Sequence, residues 1–143
     1  MSTAATHVLV TGASGFIGLA LTRALVARGI VVHALNRGAS AALDALGKDG
    51  HVQQFRGDVA DGEAVRRSAR GCSVAFHVAA RAGVWGAYDD YWRTNVVGTE
   101  AVIAACRAEG VPRLVFTSSP SVAHGGGDIE GLDESAPYPM RYA

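Results

Sequence analysis

The sequence contains few cysteines, no excess of charge and no long apolar segment, and each of these absences excludes a class of protein. The two cysteines, Cys72 and Cys106, are too few for a disulfide framework and lack the spacing of metal ligands. Lysine plus arginine equals aspartate plus glutamate at 13 each, which argues against a nucleic-acid-binding or basic membrane-binding surface. Neither a membrane span nor a signal peptide is expected, because no apolar run is long enough and residues 1–6 carry no basic side chain. We therefore expect a reduced, cytoplasmic protein.

What the sequence does contain is an alternation of short apolar segments with longer segments of helical periodicity, over a length that suits one domain, 1–143. This alternation predicts an α/β fold in which a parallel sheet is covered on both faces. The natural topology is the doubly wound Rossmann arrangement with strand order 3-2-1-4-5. The predicted strands are 7–11, 30–35, 51–56, 73–78 and 113–118, and the predicted helices are 16–28, 40–46, 61–70 and 88–109.

A glycine-rich turn, TGASGFIG at residues 11–18, joins the first strand to the first helix. Gly12 permits a tight turn, Gly15 has no side chain to keep a pyrophosphate from the main chain, and Gly18 lets the helix pack close to the sheet. The free N–H groups and the dipole of the helix N-terminus then bind the phosphates. Placed between a strand and an amphipathic helix, the turn predicts a dinucleotide site at Gly12, Gly15, Phe16, Ile17 and Gly18, and the alternative is an ordinary glycine-rich turn.

The second strand ends in Asn36 and Arg37, where an NAD-binding domain usually has an acidic residue that binds the ribose 2′-hydroxyl. Here no carboxylate repels a 2′-phosphate, and a guanidinium is available to pair with it. The sequence therefore favours NADP over NAD as the cofactor. In the alternative interpretation Arg37 is a solvated loop residue that stacks on adenine.

The spacing Gly-x-x-Gly-x-x-Gly, preceded by threonine, resembles the extended short-chain dehydrogenase/reductase (epimerase/dehydratase) family, and the resemblance continues along the chain. It is strongest to the 3β-hydroxysteroid dehydrogenase/isomerase branch, through TSSPSV at 117–122, DIEG at 128–131 and DES at 133–135. This resemblance implies an NAD(P)-dependent oxidoreductase that acts on the CH–OH group of a steroid-like or other apolar alcohol or ketone. The expected partners are a dinucleotide and a small-molecule substrate, with a homodimer left open.

The resemblance assigns a role to residues after the third and fourth strands. Asp58 would bind the adenine amino group and Val59 would pack on the adenine ring, although Asp58 is equally interpretable as a helix cap. Ala79 and Ala80, in HVAA at 77–80, would leave room for the nicotinamide ribose. We expect His77 itself to be a hydrogen-bonded core histidine, because its neighbours are apolar and no second metal ligand stands near it.

Further residues are implied near the reacting atoms. Asn95 would support the backbone and a water of the active site, and the alternative is an asparagine that tertiary packing tolerates in a helix. By the same resemblance, Ser119 would orient the reacting carbonyl, with Ser118 as the second candidate. Ser118 and Thr117 are also predicted to contact the cofactor. Without the family match, residues 117–119 are interpreted as a turn that ends a strand.

The family's acid/base pair, a tyrosine followed four residues later by a lysine, is absent. The only lysine is Lys48, and the residue four positions after Tyr138 is Tyr142. We therefore expect the sequence to be truncated at Ala143, before the last strands and the substrate region. The alternatives within this fold are a nucleotide-sugar epimerase or dehydratase and a carbonyl reductase of the flavonoid-reductase kind, and the alternative of another class is a non-catalytic dinucleotide sensor.

Overall fold

The structure is a computed structural model, and it describes residues 6–123, 130–131 and 133–140. Parts of three segments discussed above lie outside these residues. They are the first five residues of the chain, Asp128 and Ile129 of the DIEG motif, and the C-terminal Tyr142 and Ala143.

Five parallel strands form one sheet, and their order is β3-β2-β1-β4-β5, which confirms the predicted topology. The β1, β2 and β4 segments are short apolar runs, and a strand covered on both faces needs this composition. The pairing register places Thr11 beside Leu35 on one side and beside His77 on the other, so the strand ends meet at one edge. The strands are β1 (His7–Thr11), β2 (Val31–Asn36), β3 (Val52–Arg56), β4 (Val74–His77) and β5 (Leu114–Phe116).

The helices lie on both faces of the sheet, because successive strand residues point to opposite sides. Val8 and Val10 pack in one apolar cluster with Leu25 and Leu43, while Leu9 packs in another cluster with Val102. The sheet is therefore wound on both faces, as the sequence predicts. The helices are α1 (Phe16–Val26), α2 (Ala41–Leu46), α3 (Gly62–Ala69), α4 (Tyr88–Tyr91) and α5 (Gly98–Ala108), with 3₁₀ turns at Gly47–Asp49 and Pro120–Ala123.

The long helix predicted over residues 88–109 is not a continuous α-helix. A π-helical turn at Trp92–Val97 separates α4 from α5. Within this turn Asn95 reaches the main chain of Arg81, and directly after it Gly98 packs so closely on Val59 that a Cβ atom would lie 2.6 Å from the valine Cγ1. Single π turns inserted in α-helices are frequent at functional sites, and the turn here lies against the cavity described below.

The fifth strand is shorter than predicted and forms the edge of the sheet. It spans three residues instead of 113–118, and the side chains of Leu114, Val115 and Phe116 are between 37% and 53% exposed. Among the described residues, β5 is therefore an exposed edge of the sheet. Its large apolar side chains have too few neighbours to be buried.

Candidate active site

A cavity of about 940 Å³ lies at the carboxyl ends of the strands, where the winding direction of the sheet reverses between β1 and β4. Ligands of open α/β sheets bind at this point. The cavity brings together every residue that the sequence predicts for the site, although their individual roles remain predictions. These are Gly12, Gly15, Phe16, Ile17, Gly18, Asn36, Arg37, Asp58, Val59, Ala79, Ala80, Asn95, Thr117, Ser118 and Ser119.

The glycine-rich turn forms the middle of the cavity and begins α1. Gly12 has φ +67°, and a Cβ atom there would lie 2.9 Å from the main chain of Ala79, so this position requires glycine. Gly15 is the N-cap of α1, no acidic residue lies in the first helical turn, and Phe16 is almost fully exposed. The free N–H groups of this helix end therefore face the cavity without a competing carboxylate.

The contact that requires glycine at position 18 differs from the one predicted. A Cβ atom at Gly18 would lie 2.1 Å from the carbonyl oxygen of Gly12 and 2.9 Å from Cα of Ala13. Gly18 therefore lets the first turn of α1 lie directly against the main chain of the glycine-rich turn.

At the end of β2, the two predicted cofactor residues differ in how available they are. Asn36 is buried, its Nδ2 donates to the carbonyl of Gly38, and its Oδ1 has no partner among the described residues. Arg37 is exposed at the rim of the cavity. The free guanidinium, and not the amide, is thus the group that a ligand at this end of the cavity meets first.

Asp58 and Val59 follow β3 and are held by their own loop and by α5. The Asp58 carboxylate accepts a hydrogen bond from the Ala60 N–H at 2.8 Å, and Val59 is buried against Gly98. The alternative interpretation of Asp58 as the cap of the third helix is wrong. The cap is Asp61, whose carboxylate accepts from two N–H groups of the first turn of α3.

The end of β4 carries a buried histidine and, after it, small residues that line the cavity. His77 is hydrogen-bonded through both ring nitrogens, to the hydroxyls of Thr11 and Thr99, which confirms the expectation of a satisfied core histidine. Burial lowers the pKa of His77, so its ring is neutral at physiological pH. Ala79 is half-buried and Ala80 is exposed, and their small side chains leave the cavity open beside the ring.

Asn95 clamps the chain that follows β4. Its Oδ1 accepts from the Arg81 N–H at 2.8 Å, and its Nδ2 donates to the Arg81 carbonyl at 3.0 Å. Both polar ends of the amide are therefore used, and asparagine is the residue whose short amide can bond both main-chain groups of one residue. The Arg81 side chain is fixed as well, over the ring of Tyr91 and beside Asp90.

The hydroxyl-rich segment after β5 completes the cavity on the side opposite Arg37. The Thr117 N–H donates to the His77 carbonyl at 3.0 Å, which continues the sheet beyond the last residue of β5. The Ser119 Oγ lies 2.8 Å from the Ser121 Oγ, and Ser118 lines the cavity beside it. Ser119 is thus the one of the two candidate serines that has a hydroxyl partner.

Sequence reasoning missed four cavity residues that build or fix this site. Nothing in the sequence marks them as site residues by themselves. Only two have a position that could have suggested a role, because Arg81 directly follows the HVAA segment and Thr99 stands one helical turn after Asn95. These residues are Arg81, Tyr91, Thr99 and Ser121. Among the described residues no three potential metal ligands come together, and no helix combines the length and apolar character needed to cross a bilayer.

Comparison with known proteins places this geometry in a family. The chain is 50% identical over 133 residues to 2-alkyl-3-oxoalkanoate reductase of Stenotrophomonas maltophilia, covering 92% of this chain and 39% of the relative. It is 36% identical over 143 residues to 3 beta-hydroxysteroid dehydrogenase/Delta 5→4-isomerase of Mycobacterium tuberculosis, covering 95% of this chain and 38% of the relative.

A solved structure with bound NAD has the same fold. It is a short-chain dehydrogenase/reductase superfamily protein of Agrobacterium tumefaciens, with a TM-score of 0.78, 28% identity, and 94% of this chain and 40% of that chain covered. The chain spans between 34% and 39% of the length of the curated relatives it matches. Residues 9–143 match the model of the 3-beta hydroxysteroid dehydrogenase/isomerase family, and the chain belongs to that family.

Proposed function

We propose that this chain is the dinucleotide-binding part of an NAD(P)-dependent oxidoreductase that acts on the alcohol or ketone group of an apolar substrate. The observation that carries the proposal is the N-terminus of α1. Its N–H groups open onto the cavity between glycines, with no carboxylate in the first turn. Such an end binds a pyrophosphate. A cavity of about 940 Å³ suits a large ligand, since small-molecule sites span roughly 300–1,000 Å³.

The residues present fit a dinucleotide along the whole cavity. The glycine-rich turn binds the two phosphates, Asp58 accepts from the adenine amino group, and Arg37 pairs with a 2′-phosphate. At the other end Ala79 and Ala80 leave space for the second ribose. When bound, the dinucleotide supplies the hydride, while this chain orients it and excludes water.

The cofactor preference is for NADP, and Arg37 supports it. The guanidinium is exposed at the rim, and the Asn36 amide is occupied by Gly38. Titration of the chain with NADPH and with NADH, followed by ligand fluorescence, tests the preference. Wild type should bind NADPH more tightly, and Arg37→Ala should remove that difference. Arg107→Ala, on an exposed position of α5 outside the cavity, serves as the charge-matched control. A tighter complex with NADH in wild type contradicts the preference.

For the reaction itself, Ser119 is the residue that meets the substrate. Its hydroxyl donates to the reacting carbonyl oxygen and stabilises the charge that develops there during hydride transfer. Ser121 is within hydrogen-bond distance of the same hydroxyl and holds its rotamer. Asn95 acts through Arg81, by fixing the main chain beside the reacting group.

We favour an apolar ketone as the substrate, in preference to a steroid. The support is the identity of 50% with a reductase named for 2-alkyl-3-oxoalkanoates, against 36% with a hydroxysteroid dehydrogenase. The nucleotide-sugar alternative rests on lower identities, between 23% and 34%, to proteins solved with UDP or UDP-sugars. A non-catalytic sensor has no use for the serines after β5.

The missing tyrosine and lysine give the test that separates enzyme from sensor. The proposed oxidoreductase predicts a tyrosine followed four residues later by a lysine in the coding sequence after Ala143, so reading the gene past that codon tests it against the sensor. The polypeptide 1–143 alone should show no dehydrogenase turnover, since the lysine that lowers the tyrosine pKa is absent from it. Turnover that depends on Ser119 in this polypeptide contradicts the assignment of the acid/base role.

The cytoplasmic location belongs to the same proposal. Cys72 and Cys106 are free thiols and form no disulfide, as is typical of proteins in a reducing compartment. Cell fractionation tests the location. A homodimer stays a prediction, which analytical ultracentrifugation checks.

A further inference from the structure

A chain of buried hydrogen bonds connects the end of β1 to the helix that follows β4. The Thr11 hydroxyl lies 2.8 Å from Nδ1 of His77, and Nε2 of His77 lies 3.0 Å from the Thr99 hydroxyl. The Thr99 hydroxyl in turn donates to the Asn95 carbonyl at 2.7 Å. Thr11 is 0% exposed and His77 is 1% exposed, so water takes no part at that end of the chain.

The positions of the protons follow from counting donors and acceptors. The Thr11 oxygen accepts hydrogen bonds from the N–H groups of Val78 and Ala79, both at 3.1 Å, which occupies its two lone pairs. Its own proton can then only go to Nδ1 of His77. Nδ1 is therefore unprotonated, and Nε2 carries the ring proton and donates it to the Thr99 hydroxyl. All hydrogen bonds of this series are then donated in the same direction, from Thr11 towards the Asn95 carbonyl, and this order requires a neutral His77.

The segment 78–81 is fixed at both ends by this arrangement. Thr11 holds the N–H groups at its start, and the Asn95 amide holds the N–H and the carbonyl of Arg81 at its end. Thr99 connects the two anchors, since it contacts both His77 and the Asn95 carbonyl. Residues 78–81 line the cavity on the β4–β5 side, away from Arg37.

We propose that Thr11, His77 and Thr99 are positioning residues that set the main chain of residues 78–81 for the nicotinamide half of the dinucleotide. This inference rests on the proposed function, because that function places the adenosine half at the β2–β3 side of the cavity. Thr11 and His77 do not line the cavity, whereas Thr99 does, so the first two act on a ligand only through the segment that they hold. Their effect is confined to ligands that reach residues 78–81.

Two ligands of different length test whether the effect is limited to ligands that contact residues 78–81. NADPH or NADH reaches both halves of the cavity, whereas ADP ends at the glycine-rich turn. Thr99→Val removes the hydroxyl that links His77 to Asn95, and the affinity for the dinucleotide should fall about fivefold, the ratio that corresponds to about 1 kcal/mol for one net hydrogen bond. The affinity for ADP should stay at the wild-type value.

Two further variants separate positioning from a general structural effect. Thr99→Ser keeps the hydroxyl and should restore dinucleotide affinity to within about twofold of wild type. Ser68→Ala removes another buried hydroxyl, one that donates to the Val65 carbonyl on α3, outside the cavity. It should lower the thermal midpoint without changing the ratio of dinucleotide to ADP affinity.

A measurement on the unaltered chain tests the proton order even if a variant fails to fold. Nitrogen-15 NMR of the histidine rings should show His77 neutral at pH 7, with an unprotonated Nδ1 and a protonated Nε2. The His77 signals are assigned by their loss in His77→Gln. A ring protonated at Nδ1 overturns the inference.

The outcomes distinguish this inference from the proposed function. If the folded wild-type chain binds neither ADP nor a dinucleotide, the proposed function fails and the inference fails with it. If wild type binds both ligands and Thr99→Val weakens both equally, or weakens neither, only the positioning role is overturned.

Discussion

Replacing Gly15 by valine should abolish tight dinucleotide binding while leaving the fold in place. Gly15 has φ −78° and ψ 176°, extended backbone that valine adopts readily, and its Cβ would have one close neighbour, the Gly12 carbonyl oxygen at 3.3 Å. The chain therefore accommodates the new side chain with a shift of a few tenths of an ångström. The isopropyl group, however, occupies the space through which a pyrophosphate reaches the N–H groups of α1.

The size of the effect follows from the hydrogen bonds that are lost. A hydrogen bond to a charged group contributes about 1.5 kcal/mol at the low end of its range, so two of them contribute about 3 kcal/mol. That loss corresponds to a decrease in affinity of about 150-fold. The direct assay is isothermal titration of the folded chain with NADPH and with NADH, with circular dichroism to confirm the fold.

Gly62 offers the matched control. It is the first residue of α3, outside the cavity, and a Cβ atom there would have no neighbour within 4 Å. Gly62→Val therefore introduces the same side chain near the start of a helix without touching the proposed site. If Gly15→Val folds and binds both dinucleotides as wild type does, the pyrophosphate does not lie at this helix end, and the assignment of the cavity is refuted.

Three further predictions concern stability and association. Gly18→Ala should lower the free energy of unfolding by about 3 kcal/mol, because its Cβ would lie 2.1 Å from the Gly12 carbonyl oxygen, and an unchanged urea midpoint contradicts this. Burial lowers the pKa of His33 and His77 below the ordinary 6.5, so the unfolded chain binds more protons just below that pH. Stability should accordingly fall between about pH 7.5 and about pH 5.5, and equal urea midpoints at the two values show that neither ring is held neutral. The exposed β5 edge should make the chain poorly soluble, and Val115→Lys should reduce light scattering; a sharp thermal transition of a monomeric wild type argues against this.

The parts of the fold that sequence reasoning predicted are those set by local pattern. Apolar segments separated by helical periodicity define the strands, and the rule of right-handed crossovers then leaves few orders, of which 3-2-1-4-5 is the one observed. The cavity residues could be predicted in the same way, because the residues that follow the carboxyl ends of parallel strands meet at one edge of the sheet. The ends of elements are less well determined, as β5 shows, since its outer residues have no neighbouring strand on one side.

What the sequence could not give depends on contacts between distant segments. The π turn at Trp92–Val97 is not predicted, because its residues fit an ordinary helix and the Arg81 N–H that donates to Asn95 Oδ1 stands 14 residues away. The sequence predicts His77 as a core residue but not its two partners, which stand 66 and 22 residues away.

The two ends of the cavity are built in different ways, and this difference bears on how they can change. At the β2–β3 side the proposed ligand contact is an exposed side chain, Arg37, which can be exchanged without disturbing the core. At the β4–β5 side the proposed contact is main chain, and that main chain is held by buried groups, Thr11 and His77, which tolerate few substitutions. Cofactor preference should therefore vary through single surface substitutions, whereas the geometry beside the reacting group is tied to the packing of the sheet itself.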